Sequence, residues 1–209
     1  MSLFGRRERD IIMEGIWHKN PITYLVMGIC SALAVTVKVE TAFIMALGVM
    51  FVMAFASMTV SALRHQMPVS IRIIVQILII SILVIIADQF LRAFAYDISK
   101  QMSIFVGLII TNTLVLGRTE GFALGNPPWR SFLDGFANGT GYGLVLVAVA
   151  AVRELLGNGK LAGLQIIPES LYGAGYANNG IMILAPGAFF LLGIIIWIQR
   201  AISGYREER

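Results

Sequence analysis

Two apolar segments of this chain are too short to cross a membrane comfortably, and polar residues interrupt both. Ile22 to Val37 contains Cys30, and Met102 to Gly117 contains the triplet Thr111-Asn112-Thr113. Each has roughly 16 residues, or roughly 24 Å of helix, against a hydrocarbon core of about 30 Å. Such segments at matching places in two halves of a membrane chain indicate a functional site near the midplane, built from broken helices.

The composition is that of an integral membrane protein. The chain is 57% apolar and 13% charged, with a mean hydropathy of +0.80, whereas roughly a quarter of the residues in soluble domains are charged. The net charge of +4 does not indicate nucleic-acid binding, because the basic residues lie in loops and tails rather than in one patch.

The chain has one cysteine and two histidines. One cysteine excludes an intrachain disulfide, and a lone thiol with two scattered histidines does not make a zinc site. Any metal bound here must therefore share its ligands with a partner.

Six apolar segments predict an all-α fold with six transmembrane helices. The two short segments are the first and the fourth. The other four are long enough to span a bilayer: Thr41–Leu63, Val69–Phe90, Phe132–Leu155 and Gly180–Ile202. Pro186 and Gly187 are expected to kink the last one.

The residues that flank the membrane domain are more polar. The sequence predicts a cytoplasmic interfacial helix at residues 1–21 and a membrane domain at residues 22–202. Residues 203–209 are expected to form a cytoplasmic tail. A signal peptide is the alternative for the first stretch, since Ala32-Leu33-Ala34 has the small-x-small pattern of a cleavage site. The acidic residues Glu8, Asp10 and Glu14 argue against it.

The six segments divide into two repeats of three, about 22–92 and about 101–202. Short echoes support the division: Ala62-Leu63-Arg64 ends the second segment as Ala151-Val152-Arg153 ends the fifth. An odd number of spans in each repeat inverts the second copy. The two short segments are then expected to enter from opposite faces and to meet.

The basic residues are distributed unequally between the two sides of this arrangement. Eleven would face one side: Arg6, Arg7, Arg9, Lys19, Arg64, Arg72, Arg118, Arg130, Arg200, Arg206 and Arg209. Five would face the other: Lys38, Arg92, Lys100, Arg153 and Lys160. The positive-inside rule then places both termini in the cytoplasm.

The residues that could carry chemistry have two interpretations each. Cys30 is either a small buried hydrophobic residue or a thiolate ligand at a symmetric interface. Thr111, Asn112 and Thr113 either bond neighbouring helices or line an ion or cofactor site.

Among the acidic residues, Asp88 and Asp134 lie near span ends. Each is either an interfacial anchor, with Asp88 paired to Arg92, or part of an ion pathway. Arg153-Glu154 is interpreted as a structural anchor that closes a span.

Several stretches together identify a family. They are the sequence from Cys30 to Thr36, Glu40-Thr-Ala-Phe43, Ser99 to Asn112, Gly117-Arg118, Asp134-Gly135, and Arg153 to Leu161. These stretches resemble the NqrDE/RnfAE family, the paired six-span subunits of the Na⁺-translocating NADH:quinone oxidoreductase and of the Rnf complex. The connection from Lys160 to Pro168 resembles the quinone-reductase branch more than the Rnf branch.

The resemblance implies a function for the two short segments. It implies a bacterial inner-membrane subunit of a redox-driven sodium pump, paired with a homologous six-span protein, the E subunit of the pump. In such a pair, two thiolates from each chain hold an intramembrane [2Fe-2S] cluster that relays electrons between proteins on the two sides. Cys30 matches the first of these cysteines, whereas Thr113 stands at the position of the second.

The change to threonine affects what the metal site can hold. A hydroxyl is a poor substitute for a thiolate on an iron-sulfur cluster. Three outcomes are then open. The metal centre has three thiolates and one oxygen or water ligand, the centre is lost, or this chain and its centre belong to a divergent branch of the family.

Three alternative functions remain open at the level of sequence. The first is an RnfE-like subunit of the Rnf ferredoxin:NAD oxidoreductase. The second is a secondary ion transporter that uses Thr111, Asn112 and Asp88 as ion ligands. The third is a structural scaffold. NADH binding is not expected, because the chain has no glycine-rich dinucleotide fingerprint.

Overall fold

The computed structural model describes residues 20–94, 107–161, 164–165 and 179–203, together with Met13 and Gly15. Its elements are α1 (Ile29–Val35), α2 (Val39–Leu63), a 3₁₀ turn (Val69–Ile71) leading into α3 (Arg72–Phe94), α4 (Thr113–Arg118) continued by a π turn (Thr119–Ala123), α5 (Pro128–Asn158), α6 (Gly180–Ile183) and α7 (Ala185–Ser203). Two short antiparallel strands, β1 (Lys160–Leu161) and β2 (Leu164–Gln165), follow α5.

Four helices in the described residues are long and apolar enough to cross a membrane. They cover Val39–Leu63, Val69–Ala93, Pro128–Asn158 and Ala185–Ile202. These are the four long segments expected from the sequence, with one or both ends of each shifted by a few residues. The prediction of a helical membrane protein is confirmed.

The two short segments are both interrupted. In the first, the chain turns over residues 21–25 and becomes helical only at Ile29. In the second, residues 107–110 are helical, the helix stops at Thr111 and Asn112, and α4 begins at Thr113. Neither segment is one continuous spanning helix, as their length and polar residues predict.

The centre of the fold is an antiparallel pair of long helices, α2 and α5. Glycines of α5 let the two backbones approach closely. A Cβ atom on Gly135 would lie 2.6 Å from the carbonyl oxygen of Met53, and one on Gly139 would lie 2.7 Å from Cα of Met50. Lipid is as apolar as the helix side chains, so no hydrophobic driving force holds membrane helices together. Small residues let the backbones approach and gain packing contacts instead.

The last spanning segment breaks where a proline predicts a kink. Helix α6 stops at Ile183, Leu184 is extended, and α7 begins at Ala185 with Pro186 as its second residue. A proline fits the first turn of a helix but not its interior. Gly187 lets the two pieces pack together, since its Cβ would lie 2.5 Å from the Ile181 carbonyl oxygen.

Most of the predicted interfacial helix at residues 1–21 and of the predicted tail at 203–209 lies outside the described residues. Gly15 is described, and it is buried against α5: its Cβ would lie 3.0 Å from Ala137 Cβ. Asn20 is also tied to α5, because its side-chain amide donates a 3.0 Å hydrogen bond to the Gly141 carbonyl. This end of the segment therefore packs on the helix bundle.

Candidate functional site

The two interrupted segments meet at their breaks. Gly28 precedes α1 in the left-handed conformation (φ 76°). A side chain there would overlap the Tyr142 ring and crowd Asn112, since its Cβ would lie 2.9 Å from Tyr142 Cε2 and 3.2 Å from Asn112 Oδ1. Asn112 in turn caps α4, with its Oδ1 accepting the Leu114 amide at 3.0 Å. The start of α1 and the start of α4 are therefore neighbours.

A buried hydrogen-bond network joins the two helix starts to α5. The Ser31 and Tyr142 hydroxyls share a 2.6 Å hydrogen bond. The Asn112 side-chain amide donates to Ser31 Oγ at 3.2 Å, and Ser31 donates to the Gly28 carbonyl at 3.0 Å. Because the three side chains come from α1, the break at 112 and α5, they fix the relative positions of these elements.

Cys30 lies on the surface of the chain beside this network. Its thiol is free and exposed, and Thr111 and Thr113 at the other break are exposed as well. Within this chain Cys30 is not a buried packing residue, because the neighbouring Ser31 takes the buried position; its role as a metal ligand stays a prediction. Cys30 and Thr113 are thus available to a group outside this chain.

The backbone before α1 is irregular and exposed. Val26 has a positive φ of 55° and is 45% exposed. For a β-branched residue this conformation is strained, and such strain persists only where the surroundings hold it. The irregular stretch lies directly next to the junction of the two breaks.

The residues of this chain do not by themselves fit an iron-sulfur cluster. Within the described residues, no group of three or more His, Cys, Asp or Glu side chains could hold a metal ion. Cys30 fits as one thiolate ligand. Thr113 does not fit as a second, because its neutral hard oxygen is a poor ligand for iron-sulfur.

Asp134 is buried rather than interfacial. Its carboxylate pairs with the Arg118 guanidinium through two nitrogens, Nε to Oδ2 at 3.0 Å and Nη2 to Oδ1. Asn138 adds a 3.0 Å bond to Oδ1. The expectation that Asp134 reaches the interface as an anchor is wrong, since Arg118, at the end of α4, brings the opposite charge to it inside the bundle. Its place in an ion pathway stays a prediction.

Asp88 forms the pair that its spacing suggests. Its Oδ2 lies 2.8 Å from Nε of Arg92, one turn further along α3, and the Arg92 side chain is 51% exposed. The structure does not bring Asp88 into the network around Asn112. Its ion-pathway role, like that of Thr111 and Asn112, remains a prediction.

Sequence reasoning missed two members of the junction, Tyr142 and the buried Ser31. Tyr142 had one signal: it is the single large side chain between Gly139 and Gly143, in a stretch that otherwise favours close helix contact. Nothing in the sequence predicts that Tyr142 bonds to Ser31, because the two residues are 111 positions apart.

Comparison with known proteins assigns the family. The family described as "Rnf-Nqr subunit, membrane protein" matches residues 9–196. A protein of Photobacterium profundum, named as the D subunit of Na(+)-translocating NADH-quinone reductase, is 55% identical over 200 residues, which are 96% of this chain and 95% of that one. A protein of the same name from Yersinia enterocolitica serotype O:8 is 50% identical over 201 residues, 96% of both chains. The chain therefore belongs to the Rnf-Nqr family of membrane subunits.

Proposed function

We propose that this chain is a membrane subunit of a Na⁺-translocating NADH:quinone reductase. With a homologous six-span partner, the E subunit of such an enzyme, it forms an intramembrane iron-sulfur ([2Fe-2S]) electron relay in the bacterial inner membrane. The observation that carries this proposal is the exposed Cys30 beside the junction of two broken helices. The names of the relatives from Photobacterium and Yersinia support the assignment to this enzyme.

Three features of the helix pair α2–α5 support an inverted repeat of three plus three spans. The two helices are antiparallel, as inverted copies must be. The offset that aligns Arg64 with Arg153 also aligns Ala46, Met50 and Ala54 of α2 with Gly135, Gly139 and Gly143 of α5. These residues also approach one another across the pair: Gly135 meets Ala54, Gly139 meets Met50, and Gly143 meets Ala46. A two-fold axis near Met50 and Gly139 would exchange these contacts among themselves.

The two arginines also make reciprocal contacts. Arg64, after α2, donates from Nη1 to the Asn126 carbonyl at 2.8 Å, just before α5. Arg153, near the end of α5, donates from Nη1 to the Leu33 carbonyl at 3.1 Å, shortly before α2. In each repeat, an arginine near the end of the long helix thus bonds the segment that precedes the long helix of the other repeat. An inverted duplication would produce such a pair of contacts.

The exposed backbone at the junction supports a partner that covers it. Non-helical backbone at membrane depth is tolerated where protein buries it or where it lines a water-filled cavity. The stretch before α1 and the break at Thr111 are exposed in this chain. A second six-span protein that covers them would bring its own thiolates next to Cys30.

The expected topology follows from the basic residues and six crossings. Arg64 and Arg118 then lie on the cytoplasmic side together with both termini. Arg153 is buried within the bundle and Arg118 is paired with Asp134 inside it, so without these two the counts are ten and four rather than eleven and five. The bias toward cytoplasmic termini is kept when these two arginines are left out.

A bulky residue at the junction tests the paired-subunit proposal. Thr111→Trp places a large side chain on the exposed break, so we expect it to reduce co-purification of the homologous partner on the order of tenfold, as loss of contact at an interface centre does. Leu78→Trp on α3 is the control, because Leu78 is 58% exposed and is expected to face lipid. Pull-down of the tagged chain from detergent extracts measures both. Full co-purification with Thr111→Trp would contradict the proposed interface.

A further inference from the structure

Helix α1, which carries Cys30, is too short to hold itself. It has seven residues, Ile29–Val35, whereas isolated helices shorter than about 12 residues are marginal even in water. The carbonyl groups of its last turn have no partners within the helix. In a bilayer they must bond to protein, so the position of α1 depends on contacts from outside it.

Arg153 of α5 supplies the contact at the end of α1. Its side chain is buried, 1% exposed. Nη1 donates to the Leu33 carbonyl at 3.1 Å and to Thr36 Oγ1 at 2.5 Å. Thr36 in turn donates to the Ala32 carbonyl at 2.6 Å, which extends the bonding by one more residue.

The same guanidinium also closes helix α6. Nε donates to the Met182 carbonyl at 2.9 Å, and Nη2 donates to the Ile183 carbonyl at 2.8 Å. All the hydrogen bonds of Arg153 to described residues thus go to neutral oxygens at the carboxyl-terminal ends of two short helices. A cation is favourable at that end of a helix, where the backbone dipole is negative.

Glu154, the next residue, holds the start of α2. Its Oε2 accepts a 2.7 Å hydrogen bond from the amide of Val39, the first residue of that helix. An anion is favourable at a helix start for the converse reason. Two adjacent residues of α5 therefore bind the chain on both sides of the turn between α1 and α2, with a charge of the appropriate sign on each side.

We propose that Arg153 and Glu154 are positioning residues that set the tilt and depth of α1, and thereby the place of the Cys30 sulfur. The Leu33 carbonyl that Arg153 binds lies one helical turn from Cys30, and Ser31 fixes the other end of α1 through Tyr142 and Asn112. A displacement at the Arg153 end must tilt the short helix about Ser31. The inference rests on the proposed function in treating Cys30 as an iron ligand.

The test measures the reactivity of Cys30 and the iron of the complete complex in native membranes. Thr36→Val removes, at nearly constant volume, the hydroxyl that accepts from Arg153 and donates to the Ala32 carbonyl, and Thr36→Ser keeps that hydroxyl as a matched control. Arg153→Lys keeps the charge but not the fork that reaches two helices. We expect Thr36→Val and Arg153→Lys to raise the rate of Cys30 alkylation by a membrane-permeant maleimide on the order of tenfold, because the end of α1 opens locally.

The iron content and its electronic spectrum are expected to change with the same variants, and Thr36→Ser is expected to match the unmodified chain. Unchanged alkylation and an unchanged iron spectrum in assembled Thr36→Val and Arg153→Lys complexes would overturn the proposal. Should Arg153→Lys fail to assemble, two other variants decide by the same criterion: Thr36→Val, which removes the hydroxyl bonds to Arg153 and Ala32, and Glu154→Gln, which removes the negative charge at the start of α2.

The Cys30→Ser variant separates this inference from the proposed function. If iron persists without the thiol, the iron-ligand assignment fails. A faster alkylation of Cys30 in Thr36→Val still supports the positioning role in that case. If iron is lost with Cys30→Ser while Thr36→Val and Arg153→Lys change nothing, the positioning role fails and the proposed function stands.

Discussion

Replacement of Gly135 by alanine is expected to destabilise the helix pair at the centre of the fold. The new methyl group would lie 2.6 Å from the Met53 carbonyl oxygen and 2.9 Å from Ala54 Cα, and backbone atoms cannot move aside as a flexible side chain can. Overpacking a tight contact costs about 1–3 kcal/mol, and we expect the upper end. The thermal unfolding temperature of the purified complex measures the effect.

Gly193→Ala is the matched control for this prediction. Gly193 lies in α7, another spanning helix, and a Cβ there meets nothing within 4 Å. Alanine is favoured over glycine in a helix by about 1 kcal/mol, so the control should be neutral or slightly stabilising. Equal unfolding temperatures for Gly135→Ala and Gly193→Ala would show that α2 and α5 are not packed as described.

Asp134→Asn is expected to destabilise the chain strongly by leaving the Arg118 guanidinium without its carboxylate. The Asp134 side chain is 3% exposed and that of Arg118 is 21% exposed. Removing one partner of a buried ion pair costs about 3–5 kcal/mol, and because Arg118 is partly exposed we expect about 3 kcal/mol. Thermal unfolding of the complex, or the amount of assembled protein in the membrane, measures it.

Asp88→Asn provides the comparison, because its partner Arg92 is half exposed and such pairs contribute about 1 kcal/mol or less. A double variant, Asp134→Asn with Arg118→Gln, removes both charges and should recover part of the loss. Equal effects of the two single aspartate variants would contradict the buried pair. Sodium stimulation of turnover in Asp134→Asn complexes tests its predicted place in an ion pathway separately.

The sequence predicts the interrupted segments well because their cause is local. A stretch of roughly 16 residues cannot span the core as a helix. Asn112 is a residue type that favours a helix start over a helix interior, and it does cap α4. The kink near Pro186 is local in the same sense. These features follow from the reach and hydrogen-bonding capacity of a few adjacent residues.

The contacts between segments could not be predicted, because each depends on which distant residues the fold brings together. Asp134 has the spacing of an interfacial anchor, and only the arrival of Arg118 makes its burial possible. Tyr142 has no partner within its own helix that would reveal its bond to Ser31. The anchor role expected of Arg153-Glu154 agrees with their contacts, but nothing in the sequence names Leu33, Thr36 and Val39 as the partners.

The most direct test of whether Cys30 belongs to an intramembrane metal site is to measure the iron content and the electronic spectrum of the purified complex. Cys30→Ser is expected to remove that iron and the quinone-reductase activity while the protein stays in the membrane, because a hydroxyl does not replace a thiolate on iron-sulfur. Thr113→Cys, which adds a soft ligand at the second break, is expected to increase iron retention. Full iron and full turnover in Cys30→Ser would contradict the account.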